Sequence, residues 1–256
     1  MVAVMFLTRI PLRANWPVGA ADVGRAAAFF PLVGAGIGAL QSLLLWASLR
    51  LADHAGDMIG HRVLLPASVL SVLLTALSVW ITRALHFDGL ADMADGFGGG
   101  TTRQDVLRIM RDHGIGSFGT MAVVLVLALK FTSITTLIER GTALPYLIIA
   151  PALARAAAVG LGFLLPYARS EEGGLGGSLA YIGPIEVILS SATALALLIL
   201  IGWRRGTICA LVVLLVCFVN ARICMRRIGG ITGDTLGANT EICEALVLAT
   251  GSILGS

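Results

Sequence analysis

Long apolar stretches with almost no charged residues constrain the fold of this chain more than any other feature. A helix needs about 20 residues to cross ~30 Å of hydrocarbon. Stretches of about that length occur at 26–49, 63–82, 114–138, 142–168, 185–203 and 206–221. Hydrophobic residues make up 57% of the chain and charged residues 13%, which is typical of polytopic membrane proteins. We therefore predict one all-α domain over residues 1–256, a bundle of six to seven transmembrane helices.

The distribution of arginines predicts the orientation of this bundle. With a cytoplasmic N-terminus, the segments assigned inside (1–25, 83–113, 169–184 and 222–241) hold eleven arginines and those assigned outside hold five. Cytoplasmic loops carry the excess of positive charge, so this orientation is favoured. The apolar tail from Ile242 is short, and a short span, a re-entrant segment and a helix along the bundle all fit it. The net charge of +3 is too small to suggest a nucleic-acid partner.

A cluster of carboxylates stands out against this apolar background, in the segment His86–Phe97. A helix places Asp88, Asp92 and Asp95 at i, i+4 and i+7, on one face. Like charges at this spacing repel each other, so the face is unfavourable unless a cation lies against it. Carboxylates suit Mg²⁺, and carboxylate-bound Mg²⁺ most often serves a phosphate-bearing substrate. The pattern predicts phosphoryl-transfer chemistry at a membrane surface.

The loop after this cluster combines glycines with arginines. Gly96–Gly100 is followed by Arg103, Arg108, Arg111 and Asp112. Glycines let a backbone approach a ligand closely, and arginine donors fit phosphate oxygens. A solvated loop that follows the positive-inside rule has the same composition, so both interpretations stay open for the arginines.

A second polar segment, Gly229–Glu244, lies near the end of the chain. A glycine-rich turn that leads into a helix presents backbone N–H groups to an anion. The helix would carry Asp234, Glu241 and Glu244 on roughly one side. A helix cap formed by Asp234 or Thr235 is the alternative. The predicted topology places both acidic segments on the same side of the membrane, which favours a shared site.

Two basic residues lie inside apolar stretches. Lys130, the only lysine of the chain, lies in the third stretch and Arg155 in the fourth. Ionisable groups at that depth are costly and usually face the interior of the bundle, which makes them functional candidates. The alternative is that their long side chains reach the interface.

These motifs together resemble the cobalamin synthase family, the adenosylcobinamide-GDP ribazoletransferases of the late vitamin B12 pathway. The matching pieces follow the family's order from end to end: Leu7–Pro11, His86–Gly96, Ile109–Asp112, Gly116–Gly119 and Gly230–Ala238, with Lys130, Arg155, Glu241 and Glu244.

The resemblance implies a Mg²⁺-dependent phosphotransferase in the bacterial inner membrane, multi-pass and surrounded by lipid, with its active site facing the cytoplasm. The enzyme would join adenosylcobinamide-GDP to α-ribazole, or to α-ribazole 5′-phosphate. The products would be adenosylcobalamin, or its 5′-phosphate, and GMP. The resemblance leaves open whether the chain forms a homo-oligomer.

The resemblance also implies roles for individual residues. The predicted metal ligands are Asp88, Asp92, Asp95, Asp234 and Glu241. The predicted catalytic residues are His86, Asp88, Asp92, Asp95, Asp112 and Lys130. The predicted substrate-binding residues are Arg111, Arg155, Gly233, Thr235 and Asn239. The residue that takes the proton of the attacking hydroxyl stays open among the carboxylates and His86.

Two positions depart from the family pattern, and both concern the shape of loops. Arg83 stands where the family commonly has glycine, and His113 stands where a smaller residue is expected.

Two other classes of membrane protein compete with this interpretation. A CDP-alcohol phosphotransferase or a prenyltransferase also places aspartates over a Mg²⁺-bound diphosphate, but the spacing Asp-x-x-x-Asp-x-x-Asp with Gly-Asp-Thr-Leu-Gly fits the cobalamin synthase family better. A transporter would line its path with Lys130 and Arg155. Most carboxylates here lie at the ends of spans on one side, which argues against a transporter.

Overall fold

A computed structural model describes residues 1–12, 16–61, 63–112, 114–169, 178 and 181–254. His113, one of the two departures from the family pattern, lies outside the described residues. The helices are α1 (Val2–Leu7), α2 (Ala20–Ala26), α3 (Phe30–Ile59), α4 (Ala67–Thr82), α5 (Leu85–Gly99), α6 (Arg103–Ile109), α7 (Ser117–Glu139), α8 (Ala143–Leu164), α9 (Pro184–Leu197), α10 (Trp203–Ile228) and α11 (Gly233–Leu254). Short 3₁₀ segments, Ala27–Phe29 and Leu198–Ile201, join α2 to α3 and extend α9.

The all-α membrane architecture predicted from the sequence is confirmed. Within the described part of the chain, five helical segments are long and apolar enough to cross a membrane. The number rises to six if α4 and α5, which meet at a bend of 88°, count together as one span. The tail from Ile242 belongs to α11, which is not among these spans and instead packs between α5, α7, α8 and α10.

The chain direction brings the two acidic segments to the same end of the bundle, as predicted. Each pair of consecutive spans returns the chain to the end where α3 begins. We call this end the site end; among the described residues it holds 1–29, 83–116, 165–169, 178, 181–183 and 229–233. The first acidic segment lies on α5 and the second at the start of α11, and the two helices pack against each other.

The bend between α4 and α5 uses two residues with left-handed backbone. Arg83 has φ 55° and Ala84 has φ 57°, a conformation that glycine adopts at no steric cost. The departure from glycine at position 83 therefore falls where the backbone is left-handed. A guanidinium nitrogen of Arg83 donates a hydrogen bond to the carbonyl of Thr8 at 3.0 Å, and the Arg9 N–H donates to the carbonyl of Ile81 at 2.8 Å. The bend is thus tied to the segment that follows α1.

Glycines allow α11 to touch α5 backbone to backbone. A Cβ on Gly89 would lie 2.7 Å from the carbonyl oxygen of Asp234 and 2.9 Å from its Cα. A Cβ on Gly237 would lie 3.3 Å from the Cα of His86. A larger side chain at Gly89 would push the two helices apart. This close approach sets Asp88 and Asp234 beside each other at the site end.

A buried network of four charged side chains links α7, α8 and α11 below the site end. The Lys130 ammonium lies 2.6 Å from Glu241 and 2.9 Å from Glu244. An Arg155 guanidinium nitrogen lies 3.5 Å from the other carboxylate oxygen of Glu244. All four residues are buried, and their formal charges cancel. Burying charges costs free energy unless they are paired, so the bundle depends on the complete set.

We expect the Lys130→Met substitution to lower the free energy of unfolding by about 3–5 kcal/mol, because it leaves buried carboxylates without their counterion. The double variant Lys130→Met/Glu241→Gln restores charge balance and should regain much of this loss. Unfolding of the purified protein in mixed micelles measures both. Ala128→Met, on the exposed face of α7, serves as the control. A double variant as unstable as Lys130→Met would contradict the role of charge pairing.

Candidate active site

A cavity of about 350 Å³ opens at the site end between α1, α2, α5, α8 and α11. Its polar lining comes from both acidic segments, from α8 and from the residues after it: His86, Asp88, Arg155, Tyr167, Arg169, Ser178, Asp234 and Thr240. The rest of the lining is apolar or glycine: α1, α2 and the residues up to Phe30 contribute only such residues, and α5, α8 and α11 contribute others. The cavity therefore has one charged wall and one apolar wall.

Three carboxylates form a cluster at the charged wall, which we call the carboxylate cluster: Asp88, Asp92 and Asp234. Asp88 and Asp234 line the cavity; Asp92 is half-buried one helical turn along α5. The charges of Asp88 and Asp234 repel that of Asp92. Burial raises the pKa of Asp234, and Asp88 acts in the same direction. The cluster gathers negative charge that a cation would stabilise.

Arg169 partly balances the carboxylate cluster. Its guanidinium donates to the Asp234 carboxylate at 3.1 Å and contacts the Met110 carbonyl at 3.5 Å. It also attracts the charge of Asp92. Its Nε has no hydrogen-bond partner although it is buried. The sequence alone does not reveal this role of Arg169, because the residue lies outside every recognisable motif and looks like one more positive charge in a loop.

Asp95 has a different environment from the other aspartates of α5. Its carboxylate accepts hydrogen bonds from the N–H groups of Gly116 at 2.7 Å and Gly119 at 2.8 Å. These groups open α7, so Asp95 caps that helix. A Cβ on either glycine would lie within 2.5 Å of a carboxylate oxygen. Asp95 does not line the cavity, so its predicted metal-ligand role competes with this capping.

The start of α11 is capped by threonines. The Thr232 hydroxyl accepts from the Thr235 N–H at 3.2 Å, and the Thr235 hydroxyl accepts from the Thr232 N–H at 2.9 Å. Thr235 is fully buried by this arrangement. Asn239, also buried, accepts a hydrogen bond from Asn220 of α10 at 3.3 Å. Of the three residues predicted to bind substrate here, the structure brings only Gly233 to the cavity.

His86 and Arg155 reach the cavity from inside the bundle. Their relative exposures are 7% and 2%, and both line the cavity. His86 Nδ1 and Arg155 Nε have no hydrogen-bond partner. Lys130 and Glu241 do not line the cavity; they lie in the buried network, which positions Arg155 through Glu244. Leaving buried polar atoms unpaired is costly, which makes these two side chains candidates for a role in binding.

Arg111 and Asp112 lie at the rim of the site end, after α6. Both are exposed, and the Asp112 carboxylate accepts from the Gly114 N–H at 3.3 Å. They directly follow Met110, whose carbonyl Arg169 contacts. The structure thus places them near the mouth of the cavity and outside its lining.

Two other arginines of the site end hold loops together. Arg103 donates to the carbonyls of Ile228 at 2.7 Å and Ala168 at 2.8 Å. Arg227 donates to the carbonyls of Phe97 and Gly100, both at 2.7 Å. The sequence left open whether Arg103 contacts phosphate. Its two hydrogen bonds to carbonyls favour a structural role instead.

Within the residues that the structure describes, no group of three or more His, Cys, Asp or Glu side chains has the geometry of a metal site. The carboxylate cluster is therefore not a closed cage. The donors it offers are oxygen atoms from two helices.

Comparison with known proteins gives one consistent family. A protein-family model described as Cobalamin-5-phosphate synthase matches residues 1–252. An adenosylcobinamide-GDP ribazoletransferase from Pseudomonas syringae is 40% identical, with 99% of this chain and 98% of that protein covered. A protein of the same name from Shewanella oneidensis is 37% identical, with 99% of this chain and 94% of that protein covered. Another, from Syntrophobacter fumaroxidans, is 36% identical, with 98% of this chain and 97% of that protein covered.

No solved structure matches this chain. The family match covers both acidic segments and every helix that contributes to the cavity. The resemblance predicted from the sequence motifs is confirmed, and the chain belongs to the cobalamin-5-phosphate synthase family.

Proposed function

We propose that this protein is an adenosylcobinamide-GDP ribazoletransferase of the bacterial inner membrane, with its site end facing the cytoplasm. It would transfer the phosphocobinamide group of adenosylcobinamide-GDP to α-ribazole or to α-ribazole 5′-phosphate. The products are adenosylcobalamin or its 5′-phosphate, and GMP. The names of its relatives support the reaction, and the excess of arginines at the site end supports the orientation.

The observation that carries this proposal is the meeting of both acidic segments at one cavity. Asp88 from α5 and Asp234 from α11 line it together, beside Arg155 and Arg169. Phosphoryl transfer needs positioning of two substrates and neutralisation of phosphate charge. A wall that combines carboxylates with guanidinium groups provides ligands for a cation and donors for phosphate oxygens.

The carboxylate cluster fits Mg²⁺. This ion is usually bound through one or two carboxylates, water and the phosphates of a substrate, rather than by a complete protein cage. Asp88 and Asp234 would hold it at the cavity wall, with Asp92 close by on α5. When bound, Mg²⁺ would neutralise the charge that develops on the diphosphate. Two of the predicted ligands are poorly suited to this role. Asp95 already accepts two hydrogen bonds from α7, and Glu241 pairs with Lys130 in the buried network, outside the cavity.

In this reaction a ribose hydroxyl oxygen of α-ribazole attacks the phosphorus that carries the cobinamide, and the bond from that phosphorus to the GMP oxygen breaks. The attacking hydroxyl is not the 5′-hydroxyl, because α-ribazole 5′-phosphate keeps its phosphate at that oxygen in the product. The hydroxyl proton passes to a base on the charged wall, for which Asp88, Asp92 and His86 are the candidates. Arg155 and Arg169 would contact phosphate or ribose oxygens. The apolar wall would limit the access of water, which otherwise competes with the hydroxyl as the attacking group.

The activity is tested with protein in lipid nanodiscs supplied with adenosylcobinamide-GDP and α-ribazole. We expect release of GMP with formation of adenosylcobalamin in Mg²⁺, loss of both in EDTA and recovery when Mg²⁺ is returned. Chromatography of nucleotide and corrinoid measures both products. Folded protein that forms neither product under any of these conditions would overturn the proposal.

We expect Asp92→Asn to lower turnover by ~10²-fold or more, because it weakens the charge that would hold the cation and the transition state. Insertion and folding should be unchanged, since Asp92 is half-buried and lies outside the Lys130 network. Asp105→Asn is the matched control: Asp105 lies on the same end of the bundle but caps α6. Wild-type turnover in Asp92→Asn would contradict the proposal that the carboxylate cluster binds the cation.

A further inference from the structure

The cavity at the site end has room for one of the two substrates, and we propose that it holds α-ribazole. The benzimidazole base would lie against the apolar wall and the ribose against the charged wall. This inference rests on the proposed function and deepens it, because it assigns the specificity for the lower base to named residues.

The size of the cavity favours the nucleoside over the corrinoid. Pockets for drug-sized molecules have volumes of about 300–1,000 Å³, and this cavity, at about 350 Å³, lies near the lower limit. A single nucleoside is of that class. A corrinoid macrocycle with its adenosyl group and a guanosine diphosphate is far larger. Adenosylcobinamide-GDP would therefore stay outside and bring only its diphosphate to the mouth.

The apolar wall suits a flat aromatic base. It is formed by Phe6, Val23, Ala27, Phe30, Val159 and Ile182. The rings of Phe6 and Phe30 stack on each other, with centroids 5.6 Å apart and planes at 17°. Dimethylbenzimidazole is planar and carries two methyl groups, so it can stack on an aromatic surface and fill an apolar pocket.

The charged wall suits a ribose. His86, Arg155 and Thr240 line the cavity with groups that form hydrogen bonds. Ribose hydroxyls both donate and accept, so they can pair with each of these groups. Asp88 and Asp234 lie on the same wall. A ribose held here would have its attacking hydroxyl close to the carboxylates that face the diphosphate.

A substitution that makes the cavity smaller tests this inference. Ala158 lines the cavity and is only half-buried, so Ala158→Phe places a ring in the space of the base. We expect the KM for α-ribazole to rise at least tenfold, while the KM for adenosylcobinamide-GDP stays within twofold. The riboside of unsubstituted benzimidazole is smaller, so its KM should rise less than the KM for α-ribazole. The variant should therefore prefer that substrate more than the wild type does.

A matched control adds the same ring elsewhere on α8. A Cβ on Gly160 meets no atom within 4 Å and the residue does not line the cavity, so Gly160→Phe should leave both KM values unchanged. Phe6→Ala is the second variant. It removes one ring of the stacked pair, and it should raise the KM for α-ribazole severalfold even if Ala158→Phe does not fold.

Three results would overturn the inference. An unchanged KM for α-ribazole in both cavity variants would assign the apolar wall to a lipid chain. A rise confined to adenosylcobinamide-GDP would assign the cavity to the corrinoid. Equal rises for both substrates without a change in base preference would indicate a general distortion. Each of these requires an active wild-type enzyme, whereas failure of the proposed function would leave the wild type itself without product.

Discussion

Direct backbone contact between α5 and α11 is the constraint on which the rest of the site depends. Gly89 and Gly237 have no side chains to separate the helices, so Asp234 comes against α5 beside Asp88. The contact concentrates like charges, which is unfavourable by itself. Arg169 reduces this cost from the loop after α8, and a cation with a phosphate-bearing substrate would reduce it further. The close packing of α5 and α11 thus brings together negative charges that a bound cation would neutralise when the site is in use.

The buried network of Lys130, Glu241, Glu244 and Arg155 connects this site to the stability of the bundle. Its charges are balanced among themselves, so it does not need a ligand to be satisfied. Arg155 belongs to both regions, because it pairs with Glu244 and also lines the cavity. An arginine held in this way loses little conformational freedom when it binds an oxygen of the substrate. The network therefore holds the Arg155 side chain in place at the charged wall.

Much of this arrangement could be predicted from the sequence, because long apolar stretches and motifs with fixed spacing are local signals. The spans, the helical α5 and the common end of the two acidic segments follow from them. Other roles depend on partners far along the chain. Asp95 looks like a third ligand by spacing, but it accepts hydrogen bonds from Gly116 and Gly119. Arg169 has no motif, and only folding places it against Asp234.

On this proposal, carboxylates from α5 and α11 serve one cation at one cavity. Electron paramagnetic resonance of Mn²⁺, used in place of Mg²⁺ with adenosylcobinamide-GDP and protein in nanodiscs, measures the binding of that cation. We expect tight Mn²⁺ binding that needs the nucleotide and is weakened at least tenfold by Asp88→Asn and by Asp234→Asn alike. Binding that persists unchanged in either variant would contradict a shared site.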